Sequence, residues 1–373
     1  MTTQFKSKSK EPRIVKTIKD DIRNVKIKDD ISGEYKELKE YFLTDDRKDE
    51  LKTMGRFKTL FLTPWWILKA LYFKLTPIRR LILLLGIVFM LFSIRSSSLE
   101  SGGLTIDFLG FSFFSALLFL FIIALELKDK LHAKTELQEG RAVQSALKPE
   151  ENPIVKGWDI WMYTRPANDV GGDLLDFMKL TESKYGISVG DVAGKGLSAA
   201  LLMVKLQSTI RALVPDYSSL SEFGNKLNQI FCRDSLPRLF SSLTYIDMNA
   251  ETGLLKILNA GHIPPLIIRK GKIESLEKKS PALGLIQNCK FQEQAVTLNP
   301  GEALFIYSDG LPEARNENGA FFGEERLKNI LSRNSNLTSQ ELGELVLSFV
   351  NQFKGPAKVY DDMTMAIVKN ILI

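Results

Sequence analysis

The hydrophobic positions divide the 373-residue chain into an N-terminal part with long apolar runs and a C-terminal part with short ones. Two runs in the N-terminal part, 81–94 and 108–125, contain no charged residue. Each approaches the roughly 20 apolar residues that a membrane-spanning helix needs. The 13 residues between them, 95–107, are too few for a ligand-binding domain. We therefore predict two transmembrane helices, arranged as a hairpin, within residues 81–126.

Charged and aromatic residues indicate how this hairpin is oriented. Basic residues flank it on both sides, with Arg79 and Arg80 before it and Lys128, Lys130 and Lys134 after it. Because basic residues concentrate on the cytoplasmic side of membrane helices, both ends are predicted to lie in the cytoplasm. Residues 56–80 place Trp65 and Trp66 among leucines and interleaved lysines, a pattern typical of a segment at the membrane interface.

The segments on either side of the hairpin are polar. Residues 1–55 are rich in charge and have no sustained hydrophobic period, which predicts a flexible cytoplasmic tail. Residues 127–149 carry an apolar stripe of Leu127, Leu131, Val143 and Leu147 and end at Pro149. This pattern predicts a linker helix that leads from the membrane to the following domain. Pairing of two copies along it, giving a homodimer, is a further expectation.

Residues 150–373 alternate short apolar strands with polar turns and a few helices. The strands are predicted at 158–164, 174–180, 185–189, 242–248, 254–259, 265–269, 303–307 and 363–368. The helices are predicted at 197–214, 220–233, 323–332 and 339–352. Helices grouped between runs of strands favour an α+β domain with antiparallel sheets.

The charge of +6 is unevenly distributed along the chain. Residues 1–80 contain 20 Lys and Arg against 12 Asp and Glu, whereas the remainder contains 30 against 32. The C-terminal domain therefore lacks the basic face of a nucleic-acid-binding protein, and the chain has no P-loop. Its two cysteines, Cys232 and Cys289, have no metal-ligand spacing and indicate a reducing compartment.

Four acidic motifs lie at predicted turns or strand ends, each beside a glycine or a second acid. They are Gly172-Asp173, Gly190-Asp191, Asp309-Gly310 and Asp361-Asp362. Carboxylates that converge at one sheet edge repel one another unless cations neutralise them. Only oxygen ligands are abundant there, which favours Mg²⁺ or Mn²⁺ over zinc or copper.

These motifs resemble those of the SpoIIE/RsbU group of PPM-type, metal-dependent serine/threonine protein phosphatases. The matching strings, in order, are VGGDLLDF, GDVAGKGLSAALLM, NAGHIPPLI, YSDGLPEARN and DDMTMAIVK. The preceding LQEGRAVQSALKPEENP resembles the short helix that leads into that domain. The resemblance covers about residues 136–371 and implies an antiparallel β-sandwich flanked by helices, with two Mn²⁺ or Mg²⁺ at one end.

The resemblance also implies roles for individual residues. Asp191 would bridge both metals and act with Asp173 as the catalytic pair. The Val192 carbonyl and Asp173 would serve one metal, and Asp309 and Asp361 the other; the role of Asp362 is open. Lys195 and His262 are candidates to contact phosphate or substrate. The alternative for Lys195 is that it is an exposed turn residue. The alternative for His262 is a structural role in fixing the turn between two strands. No histidine follows Asp191, so the general acid stays open.

Two bound metals can activate a water for in-line attack on phosphorus. The resemblance therefore implies hydrolysis of phosphoserine or phosphothreonine on a regulatory protein, of the kind found as anti-anti-sigma proteins in bacterial partner switching. We expect the bacterial cytoplasmic membrane as the location, with the catalytic domain in the cytoplasm and the lipid bilayer as a partner. The alternative is a catalytically silent membrane receptor or scaffold that uses the fold for partner binding. A change in the membrane or in dimer packing that rotates the linker helix would reposition Asp173 or Asp191 and so regulate the phosphatase.

Overall fold

The computed structural model describes residues 35, 38–39, 41–96, 108–234, 239–277 and 280–372. The described residues fall into two compact units, divided between Lys130 and Leu131. Most of the predicted tail, residues 1–34, lies outside the described part.

The first unit is helical. Its helices are α1 (Asp45–Thr53), α2 (Arg56–Lys74), α3 (Pro77–Ser96) and the first part of α4 (Phe108–Ala146). The Ser115 hydroxyl donates to the Gly86 carbonyl at 2.9 Å, and Arg79 near the start of α3 contacts Glu126 of α4 at 2.6 Å. These two contacts show that α3 and α4 pack antiparallel. Helix α4 is continuous through residue 126, where we placed the end of the second span.

Among its described residues, the second unit has ten strands in two antiparallel sheets. The strands are β1 (Trp158–Arg165), β2 (Leu174–Lys179), β3 (Lys184–Val192), β4 (Ser241–Asn249), β5 (Leu254–Ala260), β6 (Leu266–Arg269), β7 (Lys272–Ser275), β8 (Glu293–Thr297), β9 (Ala303–Tyr307) and β10 (Met363–Asn370). One sheet has the order β1-β10-β9-β6-β7 and the other β2-β3-β4-β5-β8. The predicted α+β class with antiparallel sheets is confirmed.

The two sheets pack face to face, and helices cover their outer faces. Between the sheets, side chains such as Ile160 and Ile306 meet Ile187 and Ile257 of the opposite sheet in one buried cluster. Helices α5 (Leu197–Leu213) and α6 (Leu220–Asp234) bury their apolar faces on the sheet that contains β2. Helices α7 (Glu324–Arg333) and α8 (Ser339–Lys354) do so on the sheet that contains β1.

The predicted membrane spans are not tested by the hydrophobicity of the helices that the structure describes. In the part of the chain that the structure describes, one helix, Leu197–Asp216, is long and apolar enough to cross a membrane. It is a core helix of the second unit, with residues such as Leu206 and Ile210 fully buried. The predicted spans run into residues 93–111, whose side chains lie outside the described part, so the transmembrane hairpin stays a prediction.

Candidate functional site

Four of the predicted site acids lie at the same end of the sandwich, two from each sheet. Asp173 directly precedes β2, and Asp191 is the second-last residue of β3; these strands pair so that Leu174 lies opposite Gly190. Asp309 follows β9 and Asp361 precedes β10, and Met365 pairs with Tyr307 at that end. The strand register therefore brings together acids that are up to 188 positions apart in the chain.

Asp191 is at the centre of this group. Its pKa is raised to about 7, first because the side chain is largely buried and then because Asp309 and Asp361 add negative charge from the opposite sheet. Its backbone N–H donates to the Ser242 hydroxyl at 3.2 Å. The raised pKa means that the ionised carboxylate is unfavourable in these surroundings, and a divalent cation would stabilise its charge.

Asp173 is more deeply buried, at 8% exposure. Burial raises the pKa of its carboxyl group well above the usual value, and the charge of Asp191 raises it further. The hydroxyl groups of Thr364 and Ser308 oppose this shift by hydrogen bonding. Its Oδ2 atom is buried without a hydrogen-bond partner. An unpaired buried carboxylate oxygen is unfavourable by itself and is the kind of atom that a cation would satisfy.

The glycine loop before Asp173 runs directly beside the end of β3. A Cβ atom on Gly172 would lie 3.4 Å from the Val192 carbonyl oxygen and 3.6 Å from Asp191 Oδ1. Because the side chain of Val192 is buried in the core, this residue can contribute to the site through its backbone carbonyl. Glycine at position 172 leaves the space between these oxygens open.

Asp309 and Asp361 form the other half of the site, where a lysine already provides positive charge. Burial raises the pKa of Asp309, and the charges of Asp361 and Glu313 add to the effect. The Lys195 ammonium donates to Asp361 Oδ2 at 3.0 Å and to the Tyr360 carbonyl at 2.9 Å. Lys195 therefore lies at the rim of the acidic group and is paired with one of its members.

Asp362, whose role the sequence left open, holds the glycine loop in place. Its carboxylate accepts hydrogen bonds from the backbone N–H groups of Ala167 at 2.7 Å and Gly172 at 2.6 Å. A Cβ on Gly310 would overlap the Asp362 carbonyl oxygen, so the segment after β9 packs closely against the same residue. Asp362 is therefore a structural acid beside the candidate ligand Asp361.

His262 lies behind the acidic group. It is 2% exposed, and its Nδ1 atom is 2.8 Å from the Ser242 hydroxyl, the same hydroxyl that contacts the Asp191 backbone. The backbone N–H of His262 donates to Asn259 Oδ1 at 3.0 Å. Through Ser242, His262 supports the end of β3. The sequence motif identified this histidine, but only the fold shows its link to Ser242.

The chemistry of these residues fits a divalent cation. The donors are carboxylates and a backbone carbonyl, which suit Mg²⁺ or Mn²⁺. The orphaned Asp173 Oδ2 and the mutual repulsion at Asp191 both favour added positive charge. Among the described residues, no three acidic, imidazole or thiol side chains lie close enough to hold one ion as they stand. The acids would therefore draw closer together to share a cation.

Relatives of known identity match this part of the chain. The family model for Stage II sporulation protein E (SpoIIE) matches residues 181–370, just over half of the chain. Phosphoserine phosphatase RsbU of Bacillus subtilis is 25% identical over 238 residues, which cover 63% of this chain and 70% of RsbU. Protein IcfG of Synechocystis is 28% identical over 275 residues, covering 66% of this chain and 43% of IcfG. The chain thus spans less than half the length of IcfG.

Solved structures show the same fold. The SiaA-PP2C domain of Pseudomonas aeruginosa superposes with a TM-score of 0.57 at 20% identity, covering 65% of this chain and 98% of that domain. The PP2C phosphatase domain of SpoIIE from Bacillus subtilis gives 0.51 at 18% identity, covering 58% of this chain and 64% of that structure. The predicted kinship to SpoIIE/RsbU-like phosphatases is confirmed, and the chain belongs to the SpoIIE family of PP2C-type phosphatases.

Proposed function

We propose that residues 150–373 hydrolyse phosphoserine or phosphothreonine on a regulatory protein with the help of two Mn²⁺ or Mg²⁺ ions. The observation that carries this proposal is the convergence of acids from both sheets on Asp191, whose pKa is raised to about 7 by burial and by Asp309 and Asp361. Such an arrangement is unfavourable without a cation and is suited to phosphoryl transfer when one is present.

In this proposal each acid has a defined task. Asp173 and the Val192 carbonyl would hold one ion, Asp309 and Asp361 the other, and Asp191 would contact both. When bound, the cations would supply the positive charge that lowers the pKa of a water and neutralises phosphoryl oxygens. Lys195, which is 61% exposed, would leave Asp361 and donate to a phosphoryl oxygen at the rim.

The substrate class follows from the relatives. RsbU and a second Bacillus subtilis relative, RsbP, which is 27% identical over 190 residues, are both named phosphoserine phosphatases. We propose the same phosphoamino-acid class here, on a small bacterial protein of the anti-anti-sigma type. The near-neutral charge of the C-terminal domain agrees with a protein partner and does not favour nucleic acid.

The test is Mn²⁺-dependent release of phosphate from a phosphoserine peptide by the full-length chain. We expect activity that requires Mn²⁺ and that falls by about 100-fold or more in Asp191→Asn, because a shared ligand supports both ions. Glu317→Gln, which removes an exposed acid outside the acidic group, is the matched control and should retain activity. Folded wild-type protein that binds the peptide without hydrolysing it would instead support the silent-scaffold alternative.

We also propose that residues 56–126 anchor the chain in the bacterial cytoplasmic membrane. Many large apolar side chains of α3 and α4 are more than half exposed, among them Leu81, Leu91, Phe92, Phe113, Leu120 and Ile123. The contact of the two helices at Gly86 and Ser115 uses small residues, as is common where membrane helices pack. Full-length protein should stay in the membrane pellet after alkaline carbonate washing; release into the supernatant would contradict anchoring.

The homodimer through residues 127–149 is part of the same proposal. Leu127, Leu131 and Val143 of this segment are each more than half exposed, which leaves an apolar stripe for a second copy. Light scattering of the detergent-solubilised chain should give a dimer that Leu131→Glu weakens. A wild-type monomer at micromolar concentration would count against pairing.

A further inference from the structure

A short hairpin, residues 314–322, follows β9 and leads into α7. Arg315 and Phe321 form an antiparallel bridge across it. Asn316 closes its turn, because the side-chain Oδ1 accepts from two backbone N–H groups at 3.1 and 2.9 Å. At its base Phe322 is 3% exposed and packs in the core that α7 and α8 cover. The hairpin is therefore held at both its turn and its base.

The guanidinium of Arg315 lies near two aromatic rings. Its Cζ atom is 4.8 Å from the ring centroid of Phe321 and 5.4 Å from that of Tyr360. A cation within about 6 Å of an aromatic face is attracted by its π electrons. Arg315 is exposed, and among the residues that the structure describes none forms a hydrogen bond or an ion pair with its guanidinium. The rings therefore restrict the position of this cation and leave its N–H groups available.

Tyr360 links this arginine to the acidic group. It directly precedes Asp361, and its carbonyl accepts from the Lys195 ammonium at 2.9 Å. The same ammonium donates to Asp361 Oδ2 at 3.0 Å. Arg315 thus contacts the neighbour of a proposed metal ligand, while Lys195 contacts the ligand itself. The two cations mark two successive positions at the rim of the site.

The chemistry of Arg315 suits a carboxylate of the substrate. A guanidinium offers parallel N–H groups that match the two oxygens of a carboxylate, and arginine stacked on aromatic rings loses little freedom when it binds. In the proposed function the phosphoryl group lies at the acids, where Lys195 donates to it. The anion that meets Arg315 is therefore a second one, carried by the substrate next to its phosphoserine.

We propose that Arg315 is a specificity-determining residue that binds the carboxylate of an aspartate or glutamate close to the phosphoserine of the protein substrate. Phe321 and Tyr360 hold its guanidinium in place for this contact. The inference rests on the proposed function, which places phosphoserine at the acids. It goes further in naming the feature by which the chain selects among phosphoproteins, an acidic flank.

Two phosphoserine peptides test this selection with the full-length chain in Mn²⁺. One carries glutamates on both sides of the phosphoserine, and the other carries glutamines. Wild type should hydrolyse the glutamate peptide with a kcat/KM about 10-fold higher or more. In Arg315→Gln this preference should disappear, mainly through KM. Turnover of the glutamine peptide and of para-nitrophenyl phosphate should change by less than about 2-fold, because neither offers a carboxylate.

Two further variants sharpen the test. Arg315→Lys should keep only part of the preference, because an ammonium cannot pair with both carboxylate oxygens in parallel. Arg315→Glu should instead favour a peptide with lysines beside the phosphoserine. The control is Arg333→Gln, an exposed arginine at the end of α7. Its neighbour Ser332 bonds to the Gly271 carbonyl beyond β6, at the end of the sandwich away from the acids.

Two results would overturn the inference. One is equal kcat/KM of the wild-type chain for the glutamate and glutamine peptides. The other is an Arg315→Gln variant that loses para-nitrophenyl phosphate turnover as strongly as turnover of the glutamate peptide. That loss would assign Arg315 to the phosphoryl group or to the support of Asp361.

Fluorescence anisotropy of the same two peptides, labelled, separates this inference from the proposed function. A chain that hydrolyses none of the substrates, but binds the glutamate peptide more tightly in an Arg315-dependent way, would reject the proposed function and keep the recognition. A chain that hydrolyses and binds both peptides equally would keep the function and reject the recognition.

Discussion

At the scale of single residues, Asp361 and Asp362 are neighbours in the chain with opposite surroundings. The Asp361 side chain is 47% exposed and pairs with Lys195, whereas Asp362 is buried and accepts from backbone N–H groups of the glycine loop. A carboxylate that receives several backbone N–H bonds stabilises the fold. An exposed carboxylate paired with a lysine contributes little to stability and remains available to a cation.

This contrast predicts different effects of the same substitution. Asp362→Asn should lower the stability of the metal-free domain by about 1–3 kcal/mol, because the amide removes the charge and places its NH₂ group near backbone donors. Asp361→Asn should change stability by about 0.5 kcal/mol or less and reduce Mn²⁺ binding instead. Urea unfolding and Mn²⁺ titration of both variants measure this. Equal loss of stability in the two variants would contradict the assignment of Asp362.

The raised pKa of Asp191 predicts a dependence of stability on pH in the absence of metal. Its pKa is about 7 when folded and 3.8 in the reference state, so between these values the folded state binds more protons than the unfolded state. Stability contributed by this group is therefore present at low pH and is lost as the pH rises through about 7.

The melting temperature measured in a chelator should accordingly fall between pH 5 and pH 8. Other groups titrate in the same range, so the informative quantity is the difference between wild type and Asp191→Asn. In Asp191→Asn, the decrease in melting temperature between pH 5 and pH 8 should be smaller. At pH 8 the variant should melt about 4 °C or more above wild type, since the unfavourable charge is absent. Identical pH profiles would show that Asp191 is not held in the surroundings described.

Sequence reasoning located Asp173, Asp191, Asp309 and Asp361 because each stands at the end of an apolar run beside a glycine or a second acid. It did not reveal how Asp362 or Gln144 contacts the glycine loop. Asp362 contacts residues about 190 positions earlier in the chain, and Gln144, near the end of α4, contacts Gly171. Such contacts depend on strand order and register, which local patterns do not specify.

At the scale of elements, eight of the ten strands in the described part of the chain were predicted and two were missed. The missed strands, β7 and β8, are the edge strands paired with β6 and β5. Their residues are exposed or half-buried, with the pattern Lys-Ile-Glu-Ser in β7 and Glu-Gln-Ala-Val-Thr in β8. An edge strand that packs only one or two apolar side chains against the core lacks a clear alternating apolar signal, and its charged residues discourage pairing with other chains.

The packing of α3 on α4 gives a prediction at this scale. A Cβ on Gly86 would lie 2.9 Å from Phe119 Cε1, so a larger residue would push the helices apart and break the Ser115–Gly86 bond. Gly86→Ile should therefore lower the temperature at which the detergent-solubilised full-length chain unfolds. Leu84→Ile, at a 45% exposed position of the same helix, is the control. Equal melting of Gly86→Ile and wild type would contradict this packing.

At the scale of the whole molecule, the proposed chemistry and the proposed membrane attachment fall in different units. The acids of the proposed site all lie in residues 131–373, while the excess of basic residues and the exposed apolar helices lie before residue 130. The family match at 181–370 falls entirely in the second unit. The sequence predicted this division because hydrophobic period and charge both change along the chain.

The measurement that tests the central claim most directly is isothermal titration calorimetry of Mn²⁺ into the full-length chain at pH 7.5, which gives the number of ions bound per chain. The account predicts two ions per chain for wild type and for Glu317→Gln. It predicts at most one in Asp191→Asn, because that residue would contact both ions. Folded wild-type chain that binds no Mn²⁺, or an Asp191→Asn variant that still binds two ions, would contradict the proposed metal-dependent phosphatase centre.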